Sequence, residues 1–180
     1  AYKYDNGKWI PVGQATPYAG YSEQKVTFIL ISPVTGYQQD GTPEGLFYND
    51  SLRTEENMFP RKALENITLK HVNALLDIKL DFKAEDTQDK GVRLFVNGLS
   101  SPYKAYNLPN TNDYHVLVQP GTGSVSLMLS YNQIEYECMV NPPGGQFEGN
   151  KRYELKLKLN DDQLVTEKIS ITPWSEGSQG

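Results

Sequence analysis

The stretch of residues 66–82, NITLKHVNALLDIKLDF, constrains the fold more than any other part of the chain. Apolar residues alternate with polar ones in both of its halves, which is typical of β-strands with one buried face. The buried set occupies odd positions up to His71 and even positions from Ala74. A strand cannot change parity in this way unless a bulge or a bend inserts a residue. We therefore predict one long strand that bends near residues 72–73, serves two sheets and carries His71 at the corner.

The rest of the chain reads mainly as further strands separated by turns. Asn6-Gly7 is a tight-turn signal between two short strands, and a two-residue connection at 132–133 joins two strands with clean alternation. We also predict a short strand at 46–52 and a helical turn at 57–65. About ten strands with closely spaced turns predict an all-β fold, an antiparallel β-sandwich. The clearest predicted strands lie at 2–4, 8–11, 25–32, 92–96, 114–119, 125–131, 134–140, 151–159 and 164–171.

The number of sandwiches stays open at this stage. A boundary near Lys90 would give two small tandem sandwiches, residues 1–90 and 91–180, which share a tight interface. The alternative is one continuous sandwich over residues 1–175.

Composition excludes several classes of function. The 17 basic and 22 acidic residues give a net charge of -5, with no basic stripe, so nucleic acid and anionic membranes are poor partners. A single cysteine, Cys138, allows no internal disulfide and no cysteine metal site. No apolar run approaches the roughly 18 residues of a transmembrane helix. The sequence shows no signal peptide and no initiator methionine, so we interpret it as a processed or trimmed product. We expect neither a metal nor an organic cofactor.

The sequence offers little support for catalysis. Only His71 and His115 could act as bases near neutral pH, and they lie in separate predicted strands. No nucleophile motif, phosphate loop or paired-histidine metal motif accompanies them. We therefore interpret His71 as a corner residue whose ring hydrogen-bonds to the backbone, and we predict no catalytic residue. A pocket that held either histidine against a carboxylate would support a catalytic function instead.

Several motifs occur in an order that resembles the fimbrillin-like family over nearly the whole chain. They are an aromatic-turn-Trp hairpin, a V-x-F strand that ends in proline, the strand with His71 at the corner, a Tyr-x-Leu-x-Leu strand and a closing Ile-x-Ile-x-Pro-Trp. The residues that carry these motifs, and to which the resemblance gives a structural role, are Trp9, Phe28, His71, Tyr153 and Trp174.

The resemblance implies a surface protein of Gram-negative bacteria that build type V pili. Such proteins travel to the outer membrane as lipoproteins and fold as tandem transthyretin-like sandwiches. Subunits that polymerise do so by β-strand addition, in which a strand of one subunit completes a sheet of its neighbour. This sequence lacks the family's first strand and lipid-bearing cysteine, and it ends six residues after Trp174. These two departures favour a tip, anchor or accessory protein over a stalk subunit.

The sequence therefore indicates two alternative functions. The first is a non-enzymatic role in adhesion or pilus assembly, with other pilus subunits or surface proteins as strand-donating partners. This role requires an open, apolar edge in the first sandwich. The alternative is a surface module that binds host or dietary glycans, because loops contain Tyr18, Tyr21, Tyr37, Tyr103 and Tyr106. Exposed rings that form a flat platform would support this alternative.

Overall fold

The structure is a computed structural model, and its described residues are 2–5, 8–11, 26–32, 39–50, 52–58, 70–81, 91–96, 101–160 and 163–174. Only the backbone is described for 2–5, 8–11, 26–32, 47–49 and 54–58. The chain divides into two compact units by its internal contacts. The first comprises Ala1–Ile29 and Glu55–Ile67, and the second comprises Leu30–Thr54 and Thr68–Gly180.

The chain begins with a hairpin of β1 (Tyr2–Asp5) and β2 (Lys8–Pro11), as Asn6-Gly7 predicts. β3 (Val26–Ser32) confirms the strand predicted at 25–32. β3, β4 (Leu52–Met58) and β5 (Lys70–His71) form a three-stranded sheet in that order. The division between the two units runs through β3 and β4.

A short helix, α1 (Pro43–Asn49), lies where the sequence predicted a short strand at 46–52, so that prediction was wrong. Thr42 caps the helix: its hydroxyl accepts a hydrogen bond from the amide of Gly45 at 3.0 Å. Pro43 follows at the first helical position, where its missing N–H costs nothing. The helical turn predicted at 57–65 is also wrong where it is described, because residues 57–58 belong to β4.

The predicted bend at residues 72–73 is confirmed. β5 (Lys70–His71) pairs with β4 in one sheet, and β6 (Ala74–Leu80) lies in another. The change of parity in the sequence therefore marks the point at which the strand leaves one sheet and enters the next. The predicted positions 66–69 and 82 lie outside the described residues.

Two sheets of the second unit pack face to face around one core, which confirms the predicted all-β sandwich. The five-stranded sheet has the order β14-β13-β6-β10-β9, and the four-stranded sheet has the order β12-β11-β7-β8. Fully buried side chains from both sheets fill the space between them, among them Ile78, Tyr114, Leu127 and Leu155. The remaining strands are β7 (Gly91–Phe95), β8 (Tyr103–Lys104), β9 (Tyr106–Asn107), β10 (Asp113–Val118), β11 (Val125–Tyr131), β12 (Ile134–Val140), β13 (Lys151–Asn160) and β14 (Gln163–Pro173).

β6 differs from its sequence prediction in two respects. It pairs with β10 antiparallel but with β13 parallel, because the chain forms β11 and β12 in the other sheet before β13 returns beside β6. β6 also buries both faces: Leu75 is 6% and Asp77 is 1% exposed, although the alternation predicted a single buried face. On the outer face, His115 from β10 and Arg152 from β13 lie against Asp77 and cover it.

The hairpin predicted between β11 and β12 is confirmed. Asn132 and Gln133 have φ angles of 50° and 64°, as the commonest two-residue hairpin turns require. The domain boundary near Lys90 stays a prediction; it falls between β6 and β7, which belong to different sheets of the second unit. No helix among the described residues has the length and apolar character needed to cross a membrane.

Candidate functional site

β14 forms one edge of the five-stranded sheet and, in the described part of the chain, pairs with β13 alone. Ile171 on β14 lies opposite Tyr153 on β13. Side chains of directly paired residues share one face of a sheet, so both lie on the face that covers the core. Tyr153 is 0% exposed, whereas Ile171 is 40% exposed. The sandwich therefore leaves an apolar side chain uncovered at the β14 edge.

β12, at the corresponding edge of the four-stranded sheet, is less suited to accept another strand. Ile134 and Met139 are exposed, but the same strand also carries Glu135 and Glu137. Charged side chains on an edge strand oppose the addition of a further strand. The segment ISITP at residues 169–173 of β14 carries no charge. The C-terminal half of β14 is therefore the better acceptor edge of the two, although it lies outside residues 1–90, where the open edge was predicted.

Gln39 covers part of the opposite edge of the five-stranded sheet, beside β10. β9 covers only part of β10, and beyond it the amide side chain of Gln39 bonds to both backbone groups of Leu117. Leu117 N–H donates to Gln39 Oε1 at 2.7 Å, and Gln39 Nε2 donates to the Leu117 carbonyl at 2.8 Å. The carbonyl of Gln39 also accepts from Lys104 N on β8 at 3.0 Å. The side chain thus takes the place of a neighbouring strand, which leaves β10 unavailable at this point.

His71 and Trp174 come together at the β5–β6 corner. Their rings stack with centroids 3.4 Å apart and an interplanar angle of 6°. Nδ1 of His71 lies 2.8 Å from Oδ1 of Asp50, and the amide of His71 donates to Oδ1 of Asn150 at 3.2 Å. Because Trp174 directly follows β14, this cluster fixes the C-terminal end of the edge strand.

Residues 149 and 150 hold the corner from the β13 side. Asn150 donates its amide to the carbonyl of Asn73 and accepts a hydrogen bond from the amide of Trp174, both at 3.0 Å. Its φ of 58° lies in the left-handed region, which asparagine tolerates better than most residues. Gly149 lies so close to Val72 that a β-carbon would overlap the Val72 carbonyl oxygen. Sequence patterns singled out His71 and Trp174 but gave no signal for Asp50 or Asn150.

The second histidine belongs to a polar group on the outer face of the five-stranded sheet. Nε2 of His115 lies 3.5 Å from Oδ1 of Asp77, and the guanidinium of Arg152 bonds to Oδ2 of the same carboxylate. Burial raises the pKa of Asp77, but the interactions with His115 and Arg152 outweigh burial and lower that pKa to about 2. Asp77 is therefore a firmly ionised carboxylate.

Both histidines thus contact a carboxylate, and the ring of His71 bonds to Asp50 rather than, as was predicted, to the backbone. Trp174 covers one face of the His71 ring, whose side chain is 7% exposed. Nε2 of His71 is buried without a hydrogen-bond partner. Neither imidazole bonds to a serine, threonine or cysteine side chain in the described ranges. Within the same ranges no group of three or more acidic, histidine or cysteine side chains could hold a metal ion.

The tyrosines predicted to contact a glycan lie only partly within the described residues. Tyr103 on β8 is half-buried, packs against the core and has a pKa that burial raises. Tyr106 on β9 is half-buried beside His115. Tyr18, Tyr21 and Tyr37 lie outside the described residues, as do the side chains of Trp9 and Phe28. The glycan platform and the structural roles of the motif residues stay predictions.

Comparison with solved structures defines the class of fold: an all-β sandwich of the kind found in candidate cell adhesion proteins of Bacteroides. One such protein, from Bacteroides uniformis, matches with a TM-score of 0.61 and 13% identity, over 84% of this chain and 73% of its own length. Another, from Bacteroides ovatus, matches with a TM-score of 0.52 and 14% identity, over 83% of this chain and 61% of its own length.

A tip fimbrial protein, Mfa3 from Porphyromonas gingivalis, is also similar, with a TM-score of 0.49 and 14% identity over 69% of this chain and 64% of its own length. That score is too low to support an argument. The sequence matches no protein-family model and no curated protein. At these identities the likeness establishes the fold, and the function is a separate question.

Proposed function

We propose that the chain is a non-enzymatic, fimbrillin-like protein of the bacterial cell surface that acts in adhesion or pilus assembly. Two independent lines support this: the ordered motifs of the sequence, and a sandwich fold shared with candidate cell adhesion proteins. In this proposal the protein is exported and anchored at the outer membrane or built into a fimbrium. Its partners are pilus subunits or surface proteins that donate a strand.

The observation that carries the proposal is the uncovered apolar position on β14. A donated strand beside β14 would form backbone hydrogen bonds along the edge and place its alternate side chains next to Ile169 and Ile171. Ile169 packs partly against the core, and Ile171 is 40% exposed. Strand addition would therefore extend the core over a side chain that the isolated chain leaves in contact with water.

Asp50, His71 and Trp174 have a supporting role in this arrangement. Their cluster holds the end of β14 in place before a partner arrives. A strand that is already ordered loses less conformational entropy on pairing than a frayed one. The buried stack thus explains a histidine and a tryptophan without any catalytic step.

A pair of variants tests the proposal. Ile171→Asp places a charge on the core-facing side of the β14 edge, whereas Thr172→Asp places the same charge on the adjacent residue, which faces the opposite side. Native cells that carry each variant are sheared, and the chain is detected on denaturing gels before and after boiling. We expect Ile171→Asp to abolish bands of high mass that boiling dissociates, and Thr172→Asp to retain them. Equal assembly of both variants would refute β14 as the acceptor edge.

A further inference from the structure

The outer face of the four-stranded sheet carries two exposed apolar side chains in one row, on either side of a serine. Phe95, Ser126 and Met139 lie side by side on β7, β11 and β12, as their register shows. Phe95 is 36% exposed and Met139 is 53% exposed, so both project from the sheet. Between them, the hydroxyl of Ser126 donates a hydrogen bond to Oε1 of Glu137, which lies in the next row.

The next row of the same face has basic side chains at one end and an acidic side chain at the other. Lys104, Arg93, Met128 and Glu137 follow one another across β8, β7, β11 and β12. The guanidinium of Arg93 reaches over the middle of the sheet to Ser130 and Glu135. The basic end of the row therefore lies at Lys104 and the acidic end at Glu137, three strands apart. We call the surface made by these two rows the β7–β12 face.

These two rows match a second copy of themselves. A two-fold axis that runs parallel to the strands, between β7 and β11, brings two such faces together. It places β8 of one copy opposite β12 of the other, and β7 of one copy opposite β11 of the other. Lys104 then lies opposite the second copy's Glu137, and this contact occurs twice. The same operation places the Phe95 ring opposite the second copy's Ser126 and beside its Met139, where contact between sulfur and an aromatic ring is favourable.

We propose that the β7–β12 face binds a second copy of this chain in an isologous pair. This contact is separate from strand addition at β14, because it uses a sheet face on the other layer of the sandwich. Aligned face-to-face packing is a common arrangement of twisted sheets, and the shared strand direction under this axis is compatible with it.

The size of the face sets the strength of the contact. β8, β7, β11 and β12 have two, five, seven and seven residues, so at about 4.8 Å between strands and about 3.3 Å per residue they cover roughly 300 Å². A stable complex buries about 800 Å² on each partner, so the pair is a weak one that forms when copies are concentrated, as on a cell surface. Ionic contacts at its two ends should make the association sensitive to salt.

Sedimentation of the purified chain over a range of concentrations, at low and at high salt, tests the proposal. We expect the unmodified chain to shift reversibly from monomer to dimer. Lys104→Glu and Glu137→Lys should each weaken the dimer by about tenfold or more, because each variant brings like charges together twice. An equimolar mixture of the two variants should associate again, since both contacts between unlike variants are attractive.

Lys158→Glu is the matched control, because it makes the same charge change on an exposed side chain of the five-stranded sheet. It should leave the dimer unchanged. Melting temperatures must confirm that all variants fold, since Lys104→Glu adds a negative charge near Asp40. A chain that stays monomeric at every concentration, or a mixture that associates no better than the single variants, would overturn the proposal. Neither result would affect heat-dissociable assembly through β14.

Discussion

The ionised state of Asp77 makes a quantitative prediction about acid stability. Its side chain is 1% exposed and bonds to Arg152, with His115 at 3.5 Å. The folded pKa of about 2 lies below the ordinary value of 3.8. A carboxyl whose pKa is lowered by folding stabilises the protein above its unfolded pKa, and this contribution disappears as the pH falls toward the folded pKa. The difference corresponds to about 2 kcal/mol, which should be lost between about pH 4 and pH 2.

Chemical denaturation of the unmodified chain and of Asp77→Asn, from pH 7 to pH 2, measures this contribution. We expect Asp77→Asn to lower the free energy of unfolding by about 2 kcal/mol at pH 7, because it removes the charge that Arg152 faces. The gap between the two proteins should narrow as the pH approaches 2. Asp81→Asn is the control: Asp81 is exposed, lies 3.4 Å from Lys156 and should contribute less than about 0.5 kcal/mol. A gap that stays constant over the whole pH range would show that Asp77 does not titrate with a lowered pKa in the folded protein.

Two substitutions test the corner that holds β14. Gly149→Ala should destabilise the fold by about 2 kcal/mol, because the new methyl group overlaps a backbone carbonyl, whereas Gly123→Ala has room and should be nearly neutral; thermal unfolding compares them. Trp174→Ala should cost about 2 kcal/mol by loss of its stack on His71, and Trp174→Phe should restore part of it. Amide exchange at the end of β14 should rise in Trp174→Ala, and unchanged exchange there would contradict the proposed role of the cluster.

Much of the second unit could be predicted from the sequence because its strands follow simple local rules. The parity change between His71 and Ala74 located the corner, and the alternation on β11 to β14 gave the strands that build the sandwich. Asn132-Gln133 was recognised as a hairpin connection from its length alone. Each of these signals depends on neighbours along the chain, and such signals survive in a single sequence.

The features that were missed depend on residues distant in the sequence. Nothing near Asp50 or Asn150 shows that they contact His71, and nothing near Gln39 shows that its amide replaces a strand beside β10. The parallel pairing of β6 with β13 likewise depends on the path of the chain through both sheets. Because this pairing brings Arg152 to Asp77, the alternation of β6 could not show that Asp77 is buried. α1 is different: Thr42-Pro43 is a recognisable helix start, and the apolar residues after it were read as a strand instead.

The edge of β14, which pairs with β13 alone in the described part of the chain, is the proposed site at which a partner's strand is added. Amide hydrogen exchange, followed residue by residue in material assembled on native cells and in the purified chain, tests it most directly. If β14 accepts a strand, amides within Gln163–Pro173 exchange more slowly in the assembled material than in the purified chain. Amides of β12 exchange at the same rate in the two samples. Equal exchange along β14 in the two samples would contradict the claim.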